Sequence, residues 1–209
     1  MDEKNLMKWL SPGDLQILES ILEDRYGIEG PELRQLPGEF KNSFVVMSPE
    51  SARFVVKLTD VEDDSGRTHL QADLLEHLAA RATGLPVPRV VRARDGAHVL
   101  TIKFDEREAL LMMLTWLPGQ SVSELSVPSP ELLWEIGETA ARFVEGLSDF
   151  GHPSAIETHE WHILDAATNA RSLLPLIVDH DARSDVIRVL HWYDEVVLPT
   201  LDQLRVGIV

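Results

Sequence analysis

The feature that most constrains the fold is a change of pattern at Pro118-Gly119 in a chain of 209 residues. Before this point, short apolar runs separated by turn residues are typical of strands, with helical segments among them. After it, from Pro130 onward, apolar residues recur at the spacing of helices. The sequence therefore predicts an α+β protein with two lobes. An antiparallel sheet with one inserted helix is expected over residues 1–117, and an all-helical lobe over residues 118–209.

Six runs in the first lobe have the composition and length of strands. They are Glu32–Leu36, Ser43–Ser48, Ala52–Thr59, Arg89–Ala93, His98–Phe104 and Ala109–Leu117. Helices are predicted after Ser11-Pro12, over Thr68–Ala82, from Pro130, over Glu160–Val178 and over Ala182–Leu204. Pro175 and Pro199 lie inside the last two helices and should kink or end them.

Composition excludes several classes of function. The chain has no cysteine, which excludes disulfides, thiolate metal sites and a cysteine nucleophile. It carries 19 basic and 35 acidic side chains, a net charge of −16, whereas nucleic-acid binding needs a cationic surface. No run approaches the ~20 apolar residues of a membrane helix, and the charged first ten residues lack a signal-peptide core. We expect a soluble cytoplasmic protein that binds neither nucleic acid nor membranes.

Lys57 is the first candidate for a functional role. It ends the apolar run Phe54-Val55-Val56, and strand alternation places it on the face of Val55. A lysine late in a central strand is costly to bury unless it meets an anion. The alternative is a solvated lysine where the strand leaves the sheet.

Gln71 is the second candidate, on the predicted helix Thr68–Ala82. At about 100° per residue, Leu70, Leu74 and Leu78 define an apolar face, and Gln71 falls inside it. This glutamine is therefore the polar side chain that the helix should turn toward the sheet. The alternative is a boundary residue that bonds to the backbone.

Two connections are candidates for backbone contacts to a ligand. The turn around Asn42 and Ser43 could offer amides and hydroxyls to a phosphate, although it is too poor in glycine for a Walker or Gly-x-Gly-x-x-Gly loop. The alternative is an ordinary hairpin turn. The segment Leu114–Gly119 joins the two lobes and leaves backbone groups on one edge, where a flat heterocycle could bind; the alternative is a plain linker.

Neither a hydrolase site nor a protein-held metal is expected. No serine lies in a Gly-x-Ser-x-Gly elbow, and His159 and His162 lack the i, i+4 spacing of a helical zinc pair.

Four segments together resemble a known family. They are Phe54–Lys57, Leu70–Leu78, Leu85–Val91 and Leu114–Gly119, followed by the end of the chain at Arg205–Val209. In this order they resemble the aminoglycoside phosphotransferase superfamily, whose members have the protein-kinase-like fold. Within it, the resemblance is to the hydroxylysine kinase group and to phosphotransferase domains fused to class III aminotransferases. It spans nearly the whole chain.

The resemblance implies a role for each candidate residue. Lys57 would contact the α- and β-phosphates of ATP or GTP bound with Mg²⁺. Gln71 stands where many superfamily members have a glutamate paired with this lysine, and a neutral amide adds no opposite charge. Further contacts are implied for Val55 at the adenine, for the backbone of Thr115 and Leu117 at the purine edge, and for Asn42, Ser43 and Phe44 in a loop over the phosphates.

The same resemblance implies a catalytic loop, His-x-Asp-x-x-x-x-Asn, directly after a segment like Gly207-Ile208-Val209. The chain stops where that loop should begin, so the catalytic base and the usual metal ligands are absent from it. Phosphoryl transfer depends on positioning and on neutralisation of charge by Mg²⁺. We therefore expect the C-terminally truncated front part of a kinase, inactive as this chain alone.

The sequence leaves three functions open. The favoured one is transfer of a γ-phosphate from ATP or GTP to an alcohol, with a hydroxylysine-like amino alcohol as acceptor. The second is a non-catalytic nucleotide-binding or regulatory pseudokinase module, and the third an aminoglycoside or choline kinase-like enzyme. Helices of an incomplete lobe should expose apolar side chains, which favours self-association. Those side chains are Trp161, Leu164, Leu173 and Leu176.

Overall fold

The computed structural model describes residues 10–37, 42–48, 53–62, 66–81, 84–104, 107–156, 165–201 and 203. Within these residues, six strands form one sheet in the order β1-β2-β3-β6-β4, with β5 also paired to β6. The strands are β1 Glu32–Gln35, β2 Ser43–Met47, β3 Arg53–Asp60, β4 Val90–Val91, β5 Val99–Lys103 and β6 Glu108–Thr115. Every pairing is antiparallel, which confirms the predicted type of sheet.

The described residues contain six α-helices. They are α1 Pro12–Ile21, α2 Arg67–Arg81, α3 Pro130–Gly146, α4 Ala166–Leu173, α5 His180–Trp192 and α6 Leu198–Leu201. None of the helices described is both long and apolar enough to cross a bilayer.

Strand alternation gives the sheet two different faces. Val56 and Leu58 of β3 are fully buried in a large cluster that also contains Leu18 and Leu22 from the first helical segment. The intervening Val55 points to the other face, into a smaller cluster built around Ala72 of α2. The central strand is thus covered on both sides, and a residue's place in the alternation decides which helix it meets.

The start of α1 is fixed by its sequence. Ser11 Oγ accepts from the Asp14 N–H at 3.1 Å, Asp14 accepts from the Ser11 N–H at 2.9 Å, and Pro12 occupies the first turn. This reciprocal cap satisfies two backbone donors and confirms the predicted helix start. The helix continues as a π-helical turn, Leu22–Tyr26, and ends at Gly27, whose φ of 75° favours glycine.

The buried face of α2 differs from the prediction. Thr68, Ala72 and Leu78 are buried, whereas Leu70 and Leu74 are only half-buried. The reason is that α2 contacts the sheet on one side and the chain segment after α3 on another, so no single apolar stripe covers its buried surface. Gln71 lies beside the buried face but is exposed.

The chain divides into two compact units, one reaching Ala155 and one covering Ile156–Ile208. The predicted division of the lobes at residues 117 and 118 is a different one and stays a prediction. In the second unit, α4 ends before Pro175, as predicted, and the 3₁₀ turn Leu174–Leu176 follows. α5 begins at His180, two residues before the predicted start, because Asp179 caps it by accepting from the Ala182 N–H at 2.7 Å.

Candidate functional site

Lys57 lies in the middle of the sheet, on the face that α2 covers. It is opposite Ser43 of β2 and Met112 of β6. Directly paired residues of antiparallel strands share a face, so Ser43, Lys57 and Met112 form one row across the sheet. Val55 precedes this row by two residues on the same face, as the alternation predicts.

The side chains of Lys57 and Gln71 meet, as the family resemblance implied. Lys57 Nζ donates a hydrogen bond of 2.8 Å to Gln71 Oε1. Among the described residues, no carboxylate forms an ion pair with this ammonium group. Within the described part of the chain, the side chain that bonds this cation is therefore neutral, and no carboxylate cancels the positive charge in the middle of the row.

Burial acts on this uncancelled charge. Partial burial of Lys57 lowers the pKa of its ammonium below the ordinary value, because removal from water disfavours the charged form. An anion placed against Nζ would reverse this effect by favouring the charged form. The arrangement is suited to a phosphate group that approaches along the sheet face.

The floor beside Lys57 is apolar. Ala72, Met112 and Leu114 are buried there, and the side chains packed against them are only partly covered. These partly covered residues are Val55, Leu75, Val90 and Val99. An apolar surface next to a single cation is the combination that a nucleotide base and its phosphates require.

The connection after β6 is only partly free to bind a ligand. The Thr115 N–H donates to the Arg89 carbonyl at 2.9 Å, and Thr115 Oγ1 accepts from the Arg89 N–H at 2.9 Å. The Trp116 N–H donates to the Arg53 carbonyl at 3.3 Å. The predicted role of the Thr115 backbone is therefore restricted to its carbonyl group, since its N–H is already bonded.

The backbone N–H of Leu117 differs from that of Thr115. No described residue accepts from the Leu117 N–H, and its side chain is 44% exposed. Because N–H groups alternate in direction along extended backbone, we expect the Leu117 N–H to point to the same side as that of Thr115.

The predicted loop over the phosphates needs a correction. Residues 38–41 lie outside the described part of the chain, and Ser43 and Phe44 belong to strand β2. Phe44 is 5% exposed and packs in the large cluster on the face opposite Lys57, so its side chain does not line the site. Asn42 precedes β2, and its carbonyl accepts from the Leu58 N–H at 2.9 Å. Ser43 alone of the three shares the face of Lys57.

Sequence reasoning did not identify Arg89 as a residue that fixes the end of β6 at Thr115. Its two backbone hydrogen bonds hold Thr115, although neither residue type signals the contact. The pairing of Val90 with Leu114 places Arg89 opposite Thr115, and this pairing joins segments far apart in sequence.

Most of the chain matches the model of a known protein family. The model described as the phosphotransferase enzyme family matches residues 32–205, which is most of the chain. The chain belongs to this family. The matched range contains all six strands, Lys57 and Gln71, so the family assignment covers the candidate site.

Known proteins agree with the assignment. Hydroxylysine kinase of Mus musculus is 24% identical, over 89% of this chain and 53% of its own length. Amicoumacin kinase, in a complex with AMP-PNP and Ca²⁺, is 18% identical with a TM-score of 0.66, covering 99% of this chain and 58% of the other. A microcompartment-associated aminopropanol kinase is 19% identical with a TM-score of 0.54, covering 78% and 56%.

These similarities bear on fold and family. The two solved structures show that the chain shares the fold of these two kinases, which confirms the predicted fold class. The chain spans about half the length of the curated relatives it matches.

Proposed function

We propose that this chain is the nucleotide-binding part of a small-molecule kinase that transfers the γ-phosphate of ATP or GTP to an alcohol. The observation that carries the proposal is the partly buried ammonium of Lys57, bonded to the neutral Gln71 rather than to a carboxylate. An anionic ligand would stabilise the charged form of this ammonium group, and the phosphates of a nucleotide are such a ligand. The proposed site comprises Lys57, Gln71, Ser43 and Val55, with the Thr115 carbonyl and the Leu117 N–H at the purine edge.

The proposed acceptor is a hydroxylysine-like amino alcohol. Its support is the similarity to hydroxylysine kinase over most of the chain, together with the shared fold of the aminopropanol kinase. An aminoglycoside or choline kinase-like acceptor is the competing possibility. A phosphate-release assay across amino alcohols, aminoglycosides and choline, with the full-length protein, would choose among them.

Mg²⁺ belongs to the proposal as the partner of the nucleotide, because it neutralises phosphate charge in reactions of this type. The described residues contain no group of three or more His, Asp or Glu side chains placed to hold a metal ion. The part of the chain that the structure describes therefore does not fit a protein-built magnesium site.

The proposal is tested by thermal unfolding of the 209-residue chain with Mg·ATP and with Mg·GTP. We expect stabilisation of wild type by at least one nucleotide and its loss in Lys57→Met. The matched control is Lys103→Met, because Lys103 is a strand lysine whose ammonium lies 4.0 Å from the Glu108 carboxylate and whose side chain is 77% exposed. No stabilisation of wild type, or equal stabilisation of Lys57→Met, would contradict the proposed phosphate contact.

The second candidate function is a non-catalytic nucleotide-binding or regulatory module. We expect this chain alone to bind nucleotide without transferring phosphate, which a phosphate-release assay measures. A non-catalytic binding module would behave in the same way. The reading frame after Val209 separates the two, because the His-x-Asp-x-x-x-x-Asn motif would follow in a kinase and be absent from a module of this kind.

Self-association and a cytoplasmic location remain proposals. Leu173 and Leu176 are 56% and 73% exposed, in support of the expected apolar surface, while Trp161 and Leu164 lie outside the described residues. Sedimentation of the chain at increasing concentration would measure self-association, and a constant monomer mass would contradict it.

A further inference from the structure

Helix α2, which carries Gln71, is held on the side away from the sheet by the segment that follows α3. Asp73, His77 and Arg81 are spaced at i, i+4 and i+8, so they form one stripe along the helix. At about 100° per residue this stripe lies roughly opposite Ala72 and Leu75, which pack on the sheet. Each residue of the stripe contacts a residue between 146 and 152.

The C-terminal half of α2 meets Asp149. His77 Nε2 lies 3.1 Å from the Gly146 carbonyl oxygen and 3.3 Å from Asp149 Oδ1. Both neighbours are acceptors, so Nε2 is the ring nitrogen that carries a hydrogen. Arg81 also forms an ion pair with Asp149, and the His77 ring packs on Phe150 with 5.1 Å between centroids.

The N-terminal half of α2 is held by the same segment. The Ser154 N–H donates to His152 Nδ1 at 3.1 Å, which leaves Nε2 of His152 as the donor facing Asp73 Oδ2 at 3.5 Å. Gly66, directly before the helix, has φ of 91°, and a Cβ there would lie 2.3 Å from Ser154 Oγ. The positive φ strains any side chain at position 66, and a Cβ there would also require the Ser154 hydroxyl to move.

Helix α2 is also attached to the sheet directly. Ala72 and Leu75 pack in the cluster on that face, Thr68 Oγ1 lies 3.2 Å from Thr59 Oγ1 of β3, and an ion pair of 2.7 Å joins Glu76 to Arg92. Gln71 is exposed and bonds Lys57 through its side-chain oxygen alone. The position of Gln71 along the sheet therefore depends on the contacts on both sides of the helix, those with residues 146–154 included.

We propose that the contacts of Asp73, His77 and Arg81 with residues 146–154, here named the clasp, are positioning contacts that keep Gln71 against Lys57. The clasp residues touch neither Lys57 nor the proposed ligand surface, and they act through the placement of α2. The expected effect on nucleotide affinity rests on the proposed function. The expected effect on how well α2 covers the Lys57 ammonium does not rest on it.

The test uses mild substitutions in the 209-residue chain. Arg81→Gln and Asp149→Asn each remove the ion pair of the clasp, and Arg81→Lys keeps its charge. Arg25→Gln is the matched control, because the Arg25–Asp95 pair has similar exposure and lies away from α2. Two quantities are measured: the pKa of Lys57 in the nucleotide-free protein, from NMR titration of its side chain, and the Kd for Mg·ATP.

We expect Arg81→Gln and Asp149→Asn to raise the pKa of Lys57 toward its ordinary value, because α2 covers the ammonium less well. The Kd should rise by about twofold to fivefold, the factor that an exposed ion pair can supply. Arg81→Lys should stay near wild type, and Arg25→Gln should change neither quantity. A loss of global stability alone would not move the pKa of a lysine in the folded protein.

An unchanged Lys57 pKa in both clasp variants, or the same change in Arg25→Gln, would overturn the proposal. If wild type binds neither Mg·ATP nor Mg·GTP, the proposed function fails, and the Lys57 pKa still decides on the clasp. If wild type binds and the clasp variants change neither quantity, the clasp fails and the proposed function stands.

Discussion

Replacement of Gln71 by glutamate turns the neutral partner of Lys57 into an anion without a large change of shape. In wild type, Nζ and Oε1 are 2.8 Å apart and the bond joins a cation to an amide. A carboxylate at this place should raise the pKa of Lys57, which burial now holds below its ordinary value. The variant should therefore be more stable than wild type at neutral pH.

The magnitude follows from the distance and the exposure. Two unit charges 2.8 Å apart attract by about 1.5 kcal/mol at the dielectric constant of water and by about 6 kcal/mol at an effective value of 20. Gln71 is exposed, so solvent screening and the ordering of two long side chains bring the net gain toward about 0.5–1 kcal/mol. The gain holds only while both groups are charged, at pH values above the pKa of the glutamate and below the pKa of Lys57.

A double-mutant cycle at pH 7 measures this gain. Urea unfolding of wild type, Gln71→Glu, Lys57→Met and the double variant gives the part of the effect that needs both side chains. The reasoning is refuted if Gln71→Glu stabilises the Lys57→Met background as much as wild type. That result corresponds to a coupling free energy of zero between the two side chains.

Three further predictions follow from single contacts. Because the pKa of Lys57 is lower in the folded chain than in the unfolded one, the unfolded state binds more protons between these values. Stability to urea should rise with pH through this alkaline window in wild type, and the rise should be smaller in Lys57→Met. Ser11→Ala removes one half of the reciprocal cap and should lower the free energy of unfolding by about 1 kcal/mol, with Asp14 left in place. Thr115→Val should cost about 1–2 kcal/mol, because the part-buried Arg89 N–H loses its acceptor; a change below 0.3 kcal/mol in urea unfolding would contradict this role.

The antiparallel sheet and the faces of Lys57 and Gln71 could be predicted because they depend on local periodicity, whereas the pairing of these two side chains was implied by the family resemblance. Alternation along Phe54–Leu58 assigns Lys57 to one face, and helical spacing assigns Gln71 to the side near the sheet. The same alternation also places Phe44 on the face opposite Lys57. Its neighbour Ser43 pairs with Lys57, so the next residue must point to the opposite face.

Other features depend on contacts between distant segments, which no local pattern encodes. The Thr115 N–H is occupied because β4 and β6 pair, and this pairing brings Arg89 opposite it. The buried face of α2 was wrongly predicted because a helix contacted from two sides has no single apolar stripe. His77 and His152 gave no signal for the same reason, since their partners lie on another element.

The most direct test of the central claim is the Kd of Mg·ATP for the 209-residue chain, measured by calorimetry for wild type and Lys57→Met. A hydrogen bond between a charged group and a phosphate contributes about 1.5–3 kcal/mol, which corresponds to a factor of about 10 to 200 in affinity. We predict a loss of affinity in this range for Lys57→Met and no loss for Lys103→Met. Equal affinity of wild type and Lys57→Met would contradict the assignment of Lys57 as the phosphate contact.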